Sequence, residues 1–189
     1  METVTVVVLA AGASSRLGRP KQLVDWRGET LVHRAARLAS EAGLGPVRVV
    51  TGAHAEEVAR AVADLPVSCV HNVESTEGLA SSIRKGLEGL DTAVLLLTCD
   101  QPLLTAAHLR ALAGTWRTKG VPIIASSYDG VMGVPALFSA ALLPELLALR
   151  GDQGARAVFR QHPVEAVPLA EGGLDVDTEE DVLKLLRRE

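Results

Sequence analysis

Short apolar runs alternate with amphipathic segments along this chain. Runs rich in Val, Ile and Leu predict β-strands, at residues 4–9, 46–51, 67–71, 92–98 and 121–126. Segments in which apolar residues recur every three or four positions predict helices, at residues 30–42, 55–63, 80–87 and 105–116. Because strands and helices alternate, we predict βαβ units and an α/β fold with a mostly parallel sheet flanked by helices.

The length and composition suit one compact domain. The chain has 189 residues, of which 48% are hydrophobic, and this is enough for a sizeable core. Only 3% of the residues are aromatic, so the core must be built from Val, Leu, Ile and Ala. No linker, repeat or low-complexity segment separates the predicted elements, and we expect residues 1–189 to form a single domain.

Charge and cysteine content exclude several classes of partner. The formal net charge is −4 and no long basic face is present, so we expect no nucleic-acid partner. No apolar stretch approaches the length of a membrane span, and residues 1–3 lead directly into the first strand, so we expect no membrane partner and no signal peptide. Cys69 and Cys99 are too few for a disulfide framework or a zinc site, and the five histidines form no metal motif. We therefore expect a cytoplasmic protein.

The loop that follows the first strand is the strongest candidate for chemistry. Residues 9–21, LAAGASSRLGRPK, combine small residues with three cations, Arg16, Arg19 and Lys21. A small-residue loop after a strand can direct several backbone N–H groups at one anion, which flanking cations help to neutralise. We interpret the loop as a polyphosphate site. The alternative is an ordinary strand-to-helix turn with solvated Arg and Lys side chains.

Two well-known phosphate-binding motifs are excluded by the spacing. A Walker A loop needs Gly before its Lys and Ser or Thr after it, but Lys21 lies between Pro20 and Gln22. A dinucleotide fingerprint needs a middle glycine that the segment between Gly12 and Gly18 lacks. The loop therefore belongs to another class of phosphate site.

Residues 9–21 resemble the L-A-A-G-x-S-x-R-[ML]-G-x-x-K signature of the molybdenum cofactor nucleotidyltransferases, which belong to the wider family of Mg-dependent nucleotidyltransferases. The resemblance covers nearly the whole chain. It implies the three-layer Rossmann-like fold of nucleotide-diphospho-sugar transferases and Mg²⁺ as cofactor. It also implies catalytic roles for Arg16 and Lys21. The nucleotide-binding residues implied in the loop are Leu9, Ala10, Ala11, Gly12, Ala13, Ser14 and Lys21.

Asp100 directly follows the predicted strand 92–98 and is the first candidate metal ligand. Mg²⁺ is usually held by one or two carboxylates together with phosphate oxygens and water. The alternative is that Asp100 only begins a turn with Gln101 and Pro102. Residues 98–102 also resemble the D-x-P metal-binding segment of the family, which implies that Asp100 is both catalytic and a metal ligand.

A second metal ligand is implied near the C-terminal end. Residues 174–181 resemble the family's D-x-D-T-x-x-D segment, in which the middle Asp, here Asp177, approaches the metal. The alternative is that Thr178 with Asp181, or Asp177 with Glu180, only caps the last helix. An Asp can also do both.

Residues 72–86 resemble the family's N-x-x-x-x-x-G-[ML]-x-x-S-[LI]-R-x-G block, which contacts the base and the ribose. This implies that Asn72, Gly78 and Ser82 bind the nucleotide. Ser81 and Ser82 fall at a predicted helix start, where free N–H groups can face a ligand. The alternative is a plain Ser cap of that helix.

Two further segments resemble acceptor-binding parts of the family. Residues 131–138 resemble a G-x-P-x-L-F segment, and residues 151–156 resemble the G-D-x-G-A-R segment of the molybdenum cofactor branch. The acceptor-binding residues implied are Gly133, Pro135, Gly151, Asp152, Gly154 and Arg156. The alternative for Asp152 is that it caps a helix at 155–159.

The function that the resemblance favours is transfer of CMP from CTP to the phosphate of the molybdenum pterin cofactor, with release of pyrophosphate. Ala11 is similar to the cytidylyl branch, whereas guanylyl relatives carry a second Gly there. The alternatives are GTP as donor, a sugar or polyol phosphate as acceptor, or a non-catalytic carrier of the cofactor. A molybdenum hydroxylase is the protein partner that this implies.

Overall fold

The computed structural model describes residues 2–170, 172 and 174–188. The described residues form strands β1 (Val4–Ala10), β2 (Asp25–Trp26), β3 (Glu29–Thr30), β4 (Val47–Thr51), β5 (Ser68–His71), β6 (Ala93–Thr98), β7 (Ile123–Tyr128), β8 (Val131–Phe138) and β9 (Val164–Pro168). The α-helices are α1 (Leu31–Ala42), α2 (Ala55–Ala61), α3 (Leu79–Leu87), α4 (Ala106–Lys119), α5 (Leu143–Leu147) and α6 (Glu179–Leu186). Among these helices, none has the length and apolar content to cross a membrane.

Seven of the strands form one sheet in the order β5-β4-β1-β6-β8-β7-β9. The pairs β4–β5, β1–β4, β1–β6 and β7–β9 are parallel, and β8 is antiparallel to both of its neighbours. One apolar cluster packs α1, α2 and α4 against one face of the sheet, and a second packs α3 and α5 against the other. The prediction of three layers around a mostly parallel sheet is therefore confirmed.

Strands β8 and β9 are absent from the sequence-based prediction. Proline lacks the N–H group that a sheet ladder needs, so Pro135 argues against a strand in that segment. In the structure, the pairing of β7 with β8 passes from Ala125 opposite Ala136 to Ser126 opposite Gly133. Val134 and Pro135 therefore lie in an irregularity of the ladder, where the missing N–H group is tolerated. The segment at 155–159 is part of a 3-10 helix, Ala155–Gln161, rather than an α-helix.

The sheet brings two of the predicted functional segments together. Strands β1 and β6 are parallel neighbours, with Leu9 opposite Thr98. The small-residue loop leaves β1 after Ala10, and Asp100 follows β6 by two residues. Both segments therefore lie at the same edge of the sheet, beyond the carboxyl ends of the strands, where α/β folds bind their ligands.

A polar cluster around Glu29 fixes helix α1 near this edge. The Glu29 carboxylate accepts hydrogen bonds of 2.6–3.1 Å from His33, Arg34 and Arg37. Arg34 also donates to the carbonyl oxygen of Pro102 over 2.6 Å, which ties the helix to the segment that follows Asp100. Partial burial would raise the pKa of Glu29, but these hydrogen bonds outweigh it and lower the pKa to about 2.

We expect Glu29→Gln to lower the free energy of unfolding at pH 7 by about 1–3 kcal/mol. The folded pKa lies below the ordinary value of 4.5, so the stabilisation is complete above pH 4.5 and is lost as the pH falls towards 2. Denaturant unfolding of both proteins at pH 7 and pH 3 tests this, with exposed Glu180→Gln as the control. If Glu29→Gln lowers the free energy of unfolding as much at pH 3 as at pH 7, the stabilisation does not come from the charge of Glu29.

Candidate active site

A cleft of about 660 Å³ opens at the carboxyl ends of β1 and β6. It is large enough for a nucleotide-sized ligand. Its lining comes from the loop after β1, the start of α3, the end of β6 and the C-terminal segment. The lining residues are Leu9, Ala11, Gly12, Ala13, Ser15, Arg16, Lys21, Ser75, Thr76, Gly78, Leu79, Ser82, Thr98, Asp100, Asp152 and Asp177.

The loop after β1 presents backbone donors to this cleft. Within the described part of the chain, the N–H groups of the four consecutive residues Gly12 to Ser15 donate to no protein acceptor. The loop then closes on itself, since the N–H groups of Leu17 and Gly18 both donate to the carbonyl oxygen of Ser14 over 3.1 Å. Successive unpaired N–H groups make a concave site for an anion. The loop can therefore bind a polyphosphate.

Lys21 joins the two predicted metal ligands. Its Nζ donates to Asp100 Oδ2 over 2.5 Å and to Asp177 Oδ1 over 2.9 Å. Burial alone would lower the pKa of Lys21, but the two carboxylates outweigh it and hold the pKa above its ordinary value. Lys21 is therefore a permanently charged group at the centre of the cleft.

Arg16 extends this group of charges towards the solvent. Its Nη2 donates to Asp177 Oδ2 over 2.8 Å. Arg19 makes a two-point ion pair with Glu179, at 2.9 and 3.1 Å, on the first turn of α6. The cations of the loop therefore attach it to the C-terminal segment.

The donor set fits a divalent cation. Asp100 Oδ1 is buried and, within the part of the chain that the structure describes, has no hydrogen-bond partner. A buried carboxylate oxygen without a partner is costly, and a bound cation would satisfy it. Asp100 and Asp177 are the residues that would hold such an ion, because Lys21 already bridges them.

The capping alternative for Asp177 is wrong. Helix α6 begins with a capping box in which Thr178 and Asp181 bond each other's backbone N–H groups. The side chain of Asp177 takes no part in it and instead accepts from Lys21 and Arg16. Burial opposes these hydrogen bonds, but they lower the pKa of Asp177, which stays ionised.

Asp175 lies in the negative potential of the pair. Desolvation and the charge of Asp100 raise the pKa of the Asp175 carboxyl to about 7, although the residue is exposed and water screens part of the repulsion. Cys99 has no comparable role, since burial raises the pKa of its thiol to about 12. Cys99 is therefore a buried core residue rather than a nucleophile.

Asn72 supports the site from behind and does not line the cleft, so its contact with the nucleotide stays a prediction. It is buried, and its Nδ2 donates to the hydroxyls of Ser81 and Ser82 over 2.9 and 3.1 Å. Its Oδ1 accepts from the N–H of Glu74. Asn72 therefore fixes the first turn of α3, from which Ser82 faces the cleft.

Gly78, rather than a serine, is the N-cap residue of α3, so the Ser cap alternative is wrong. Its φ is +124°, a conformation that favours glycine. A Cβ at Gly78 would lie 2.5 Å from the backbone of Gly151 and from Asp152 Oδ1. Gly78 therefore allows the loop at 151–154 to approach α3, and the carbonyl of Gly151 accepts from the N–H of Ala80 over 3.0 Å.

A second cavity of about 560 Å³ opens beside the same loop. Its lining combines apolar side chains with two guanidinium groups, from Val131, Met132, Gln153, Gly154, Arg156, Ala157, Phe159 and Arg160. Asp152 lines the first cleft, so the loop at 151–154 separates the two cavities. Asp152 does not cap the following 3-10 helix, whose N-cap is Gly154 and has no side-chain hydrogen bond.

Three other predicted residues, and the side chain of a fourth, lie behind these surfaces. Gly133 and Pro135 are buried within β8, and their contact with an acceptor stays a prediction. Ala10 is buried, and its carbonyl accepts from Gln22. Ser14 also bonds to Gln22, through its hydroxyl. Ala10 therefore shapes the loop without lining the cleft, and the Ser14 hydroxyl braces the loop while the Ser14 N–H stays unpaired within the described residues.

Sequence reasoning missed two residues. Gln22 lies under the loop after β1, and no pattern in the sequence predicts its hydrogen bonds. Arg160 shares the second cavity with Arg156, and its spacing of four residues from Arg156 is a signal that was available.

The fold and the cleft place a loop suited to a polyphosphate next to a pair of carboxylates. Residues 6–167 match the model of the MobA-like NTP transferase domain. The chain therefore belongs to the MobA-like nucleotidyltransferase family. Nucleotidyltransferases of this family use divalent metals.

Three relatives illustrate the range of the family. The nicotine blue oxidoreductase of Paenarthrobacter nicotinovorans is 36% identical, over 97% of this chain and 96% of that protein. The molybdenum cofactor cytidylyltransferase of Escherichia coli K12 is 25% identical, over 100% of this chain and 98% of that protein. The crystal structure of Rv0371c from Mycobacterium tuberculosis in complex with manganese has a TM-score of 0.80 and 30% identity, over 98% of each chain.

Proposed function

We propose that this protein transfers CMP from CTP to the phosphate of the molybdenum pterin cofactor and releases pyrophosphate, with Mg²⁺ as the metal. The observation that carries the proposal is the position of Lys21, which bridges Asp100 and Asp177 inside the cleft. The unpaired N–H groups of Gly12 to Ser15 lie beside the same cleft. This arrangement combines an anion site with a candidate metal site. Nucleotidyl transfer requires both.

The chain's own residues act through position and charge. The N–H groups of Gly12 to Ser15 bind the β- and γ-phosphates of the donor, and Arg16 and Lys21 neutralise charge on the α-phosphate and the leaving pyrophosphate. A divalent metal held by Asp100 and Asp177 would supply further positive charge to the phosphate oxygens. Lys21 and Arg16 neutralise Asp177 in the structure, so donor binding requires these cations to turn from the carboxylate to phosphate.

No general base is needed for this reaction. The acceptor phosphate is already anionic at neutral pH, and one of its oxygens attacks the α-phosphorus of the donor. A new P–O bond forms as the bond between the α-phosphorus and the pyrophosphate oxygen breaks, and the electron pair leaves with pyrophosphate. Cys99, whose thiol is buried and protonated, takes no part. The role of the protein is then to align the two substrates and stabilise charge.

The second cavity is the proposed acceptor site. Among the described residues, neither the Arg156 guanidinium group nor that of Arg160 makes a hydrogen bond or an ion pair with a protein group. Phe159 and Met132 supply an apolar surface beside them. An apolar wall with two available guanidinium groups suits a flat, anionic acceptor. A phosphorylated pterin has this chemistry.

We expect Arg160→Met to raise KM for the acceptor by about 10-fold, because one charge-assisted hydrogen bond is lost. KM for the nucleotide should not change, since Arg160 lines only the second cavity. Steady-state kinetics with each substrate varied in turn make the measurement, and the exposed Arg110→Met is the control. An equal rise in both KM values would contradict the assignment.

The choice of CTP rests on Ala11, which is buried at the wall of the cleft. Ala11 carries a methyl group where guanylyl relatives have Gly, and this group would narrow the space for a purine. Incubation with the molybdenum pterin and an equimolar mixture of CTP and GTP, followed by mass spectrometry of the dinucleotide product, tests the proposal. A cytosine product supports it. A guanine product would show that the same reaction takes place but that Ala11 does not select against a purine.

A second candidate function follows from the 36% identity to the nicotine blue oxidoreductase. This candidate is an oxidoreductase activity on nicotine blue. It would not need Lys21 between two carboxylates, and the loop lacks the dinucleotide fingerprint. Oxidation of NADH or NADPH by nicotine blue in the presence of the protein, unaffected by Asp100→Asn, would favour it over nucleotidyl transfer.

A further inference from the structure

Gln22 is a buried polar residue directly under the loop after β1. Only 1% of its surface is exposed, and it follows Lys21 in a short 3-10 turn. Its Nε2 donates to the carbonyl oxygen of Ala10 over 3.0 Å and to that of Gly12 over 2.6 Å. Its Oε1 accepts from the hydroxyl of Ser14 over 3.3 Å. Both amide protons and the amide oxygen are therefore used within the loop.

The hydrogen bonds from the Gln22 amide satisfy carbonyl groups at the point where the β1–β4 ladder ends. The pairing of β1 with β4 stops at Ala10 opposite Thr51. Beyond this point the backbone carbonyls lose their partners in the ladder, and a buried carbonyl needs another donor. The Gln22 amide supplies that donor twice, once at the last residue of β1 and once at Gly12.

The direction of these hydrogen bonds determines what the loop presents to the cleft. Gln22 does not line the cleft, so the carbonyls of Ala10 and Gly12 bond to a group behind the loop. A carbonyl oxygen turned into the cleft would repel a phosphate, whereas an N–H group attracts it. With these carbonyls held behind the loop, the unpaired N–H groups of Gly12 to Ser15 are left for an anion.

The same contacts also fix the backbone at Lys21. The hydroxyl of Ser14, which donates to Gln22, accepts the N–H of Lys21 over 3.0 Å. Ser14 adopts a positive φ of +54°, which a non-glycine residue keeps only when its surroundings hold it. Gln22 therefore connects the anion-binding part of the loop to the lysine that follows it.

We propose that Gln22 is the positioning residue of the phosphate site, because it sets the orientation of the loop's peptide groups without touching the substrate. The role assigned to the loop rests on the proposed function. The inference about Gln22 can be tested without a nucleotide, because inorganic tripolyphosphate carries the chemistry that the N–H groups would recognise.

The test compares wild type with Gln22→Met, which keeps the length of the side chain and removes the amide. Calorimetric titration with tripolyphosphate should give a Kd about 10- to 100-fold higher for the variant. The affinity for Mn²⁺ alone should not fall, because the hydrogen bonds of the Gln22 side chain go to Ala10, Gly12 and Ser14 rather than to Asp100 or Asp177. Gln161→Met, at an exposed position, is the matched control and should bind both ligands as wild type does.

A second variant covers the case in which Gln22→Met does not fold. Gln22→Asn keeps a buried amide but is one methylene too short to reach both carbonyls, and we expect the same weaker binding of tripolyphosphate. Unchanged tripolyphosphate affinity in a folded variant would overturn the proposal, as would a parallel loss of Mn²⁺ affinity. If wild type binds tripolyphosphate but transfers no nucleotide, the proposed function fails while the result for Gln22 still stands.

Discussion

Replacing Lys21 by Met should lower turnover by about 10²- to 10³-fold, because a cation that neutralises the developing charge on phosphate is lost. The same change should tighten the binding of Mn²⁺ in the absence of nucleotide. Nζ of Lys21 bonds both Asp100 and Asp177, so a metal ion must compete with it for these carboxylates. Without that competitor we expect an affinity about 5- to 10-fold higher.

Two measurements on one variant test this prediction. Pyrophosphate release reports turnover, and electron paramagnetic resonance of free Mn²⁺ reports the affinity for metal. The control is Lys85→Met, at an ion pair with Glu88 on the surface of α3. Mn²⁺ binding that weakens in Lys21→Met would show that the lysine supports the metal site rather than competing with the ion.

Replacing Asp100 by Asn should abolish the binding of Mn²⁺ and lower turnover by about 10³-fold or more. Within the described residues, Asp100 contributes a buried oxygen without a protein partner and a second oxygen bonded to Lys21. A neutral amide keeps the shape of the side chain but removes the charge that holds a cation. The fold should remain intact.

The readout that is independent of activity is thermal unfolding with and without Mn²⁺. A ligand that binds only the native state raises the melting temperature. We expect Mn²⁺ to stabilise wild type and the exposed control Asp91→Asn, and to leave Asp100→Asn unchanged. Equal stabilisation of all three proteins would place the metal elsewhere.

Much of the fold can be predicted from the sequence because its central strands are continuous apolar runs. Strands β1 and β6 are buried on both faces, and this leaves a clear signal in Val4–Ala10 and Ala93–Thr98. Strand β8 gives a weaker signal because Pro135 interrupts it, and β9 is only partly buried at the edge of the sheet. Strand β9 pairs with β7, which lies well before it in the chain, and β8 forms a hairpin with β7 and also pairs with the more distant β6.

The site shows the same division. The sequence predicts that the loop after β1 and Asp100 share one edge of the sheet, since both follow parallel strands. It leaves two roles open for Asp177, because the segment that contains it also begins a helix. Only the capping box of Thr178 and Asp181 shows that the Asp177 side chain is available to Lys21.

Gln22 could not be identified from the sequence. Its importance depends on where the ladder between β1 and β4 stops and on which way two carbonyls point. Neither feature follows from a local pattern of residues. The hydrogen bonds of Asn72 to Ser81 and Ser82 could not be predicted either, because the resemblance of Asn72 to a nucleotide-binding position indicates a different role.

The most direct test of nucleotidyl transfer at this site is the release of pyrophosphate from CTP, measured with and without Mg²⁺ and with and without the molybdenum pterin. Nucleotidyl transfer at this site predicts pyrophosphate release by wild type only when the metal, the nucleotide and the acceptor are all present. It predicts no release above background from Asp100→Asn. Release at the wild-type rate without metal, or from Asp100→Asn, would contradict it.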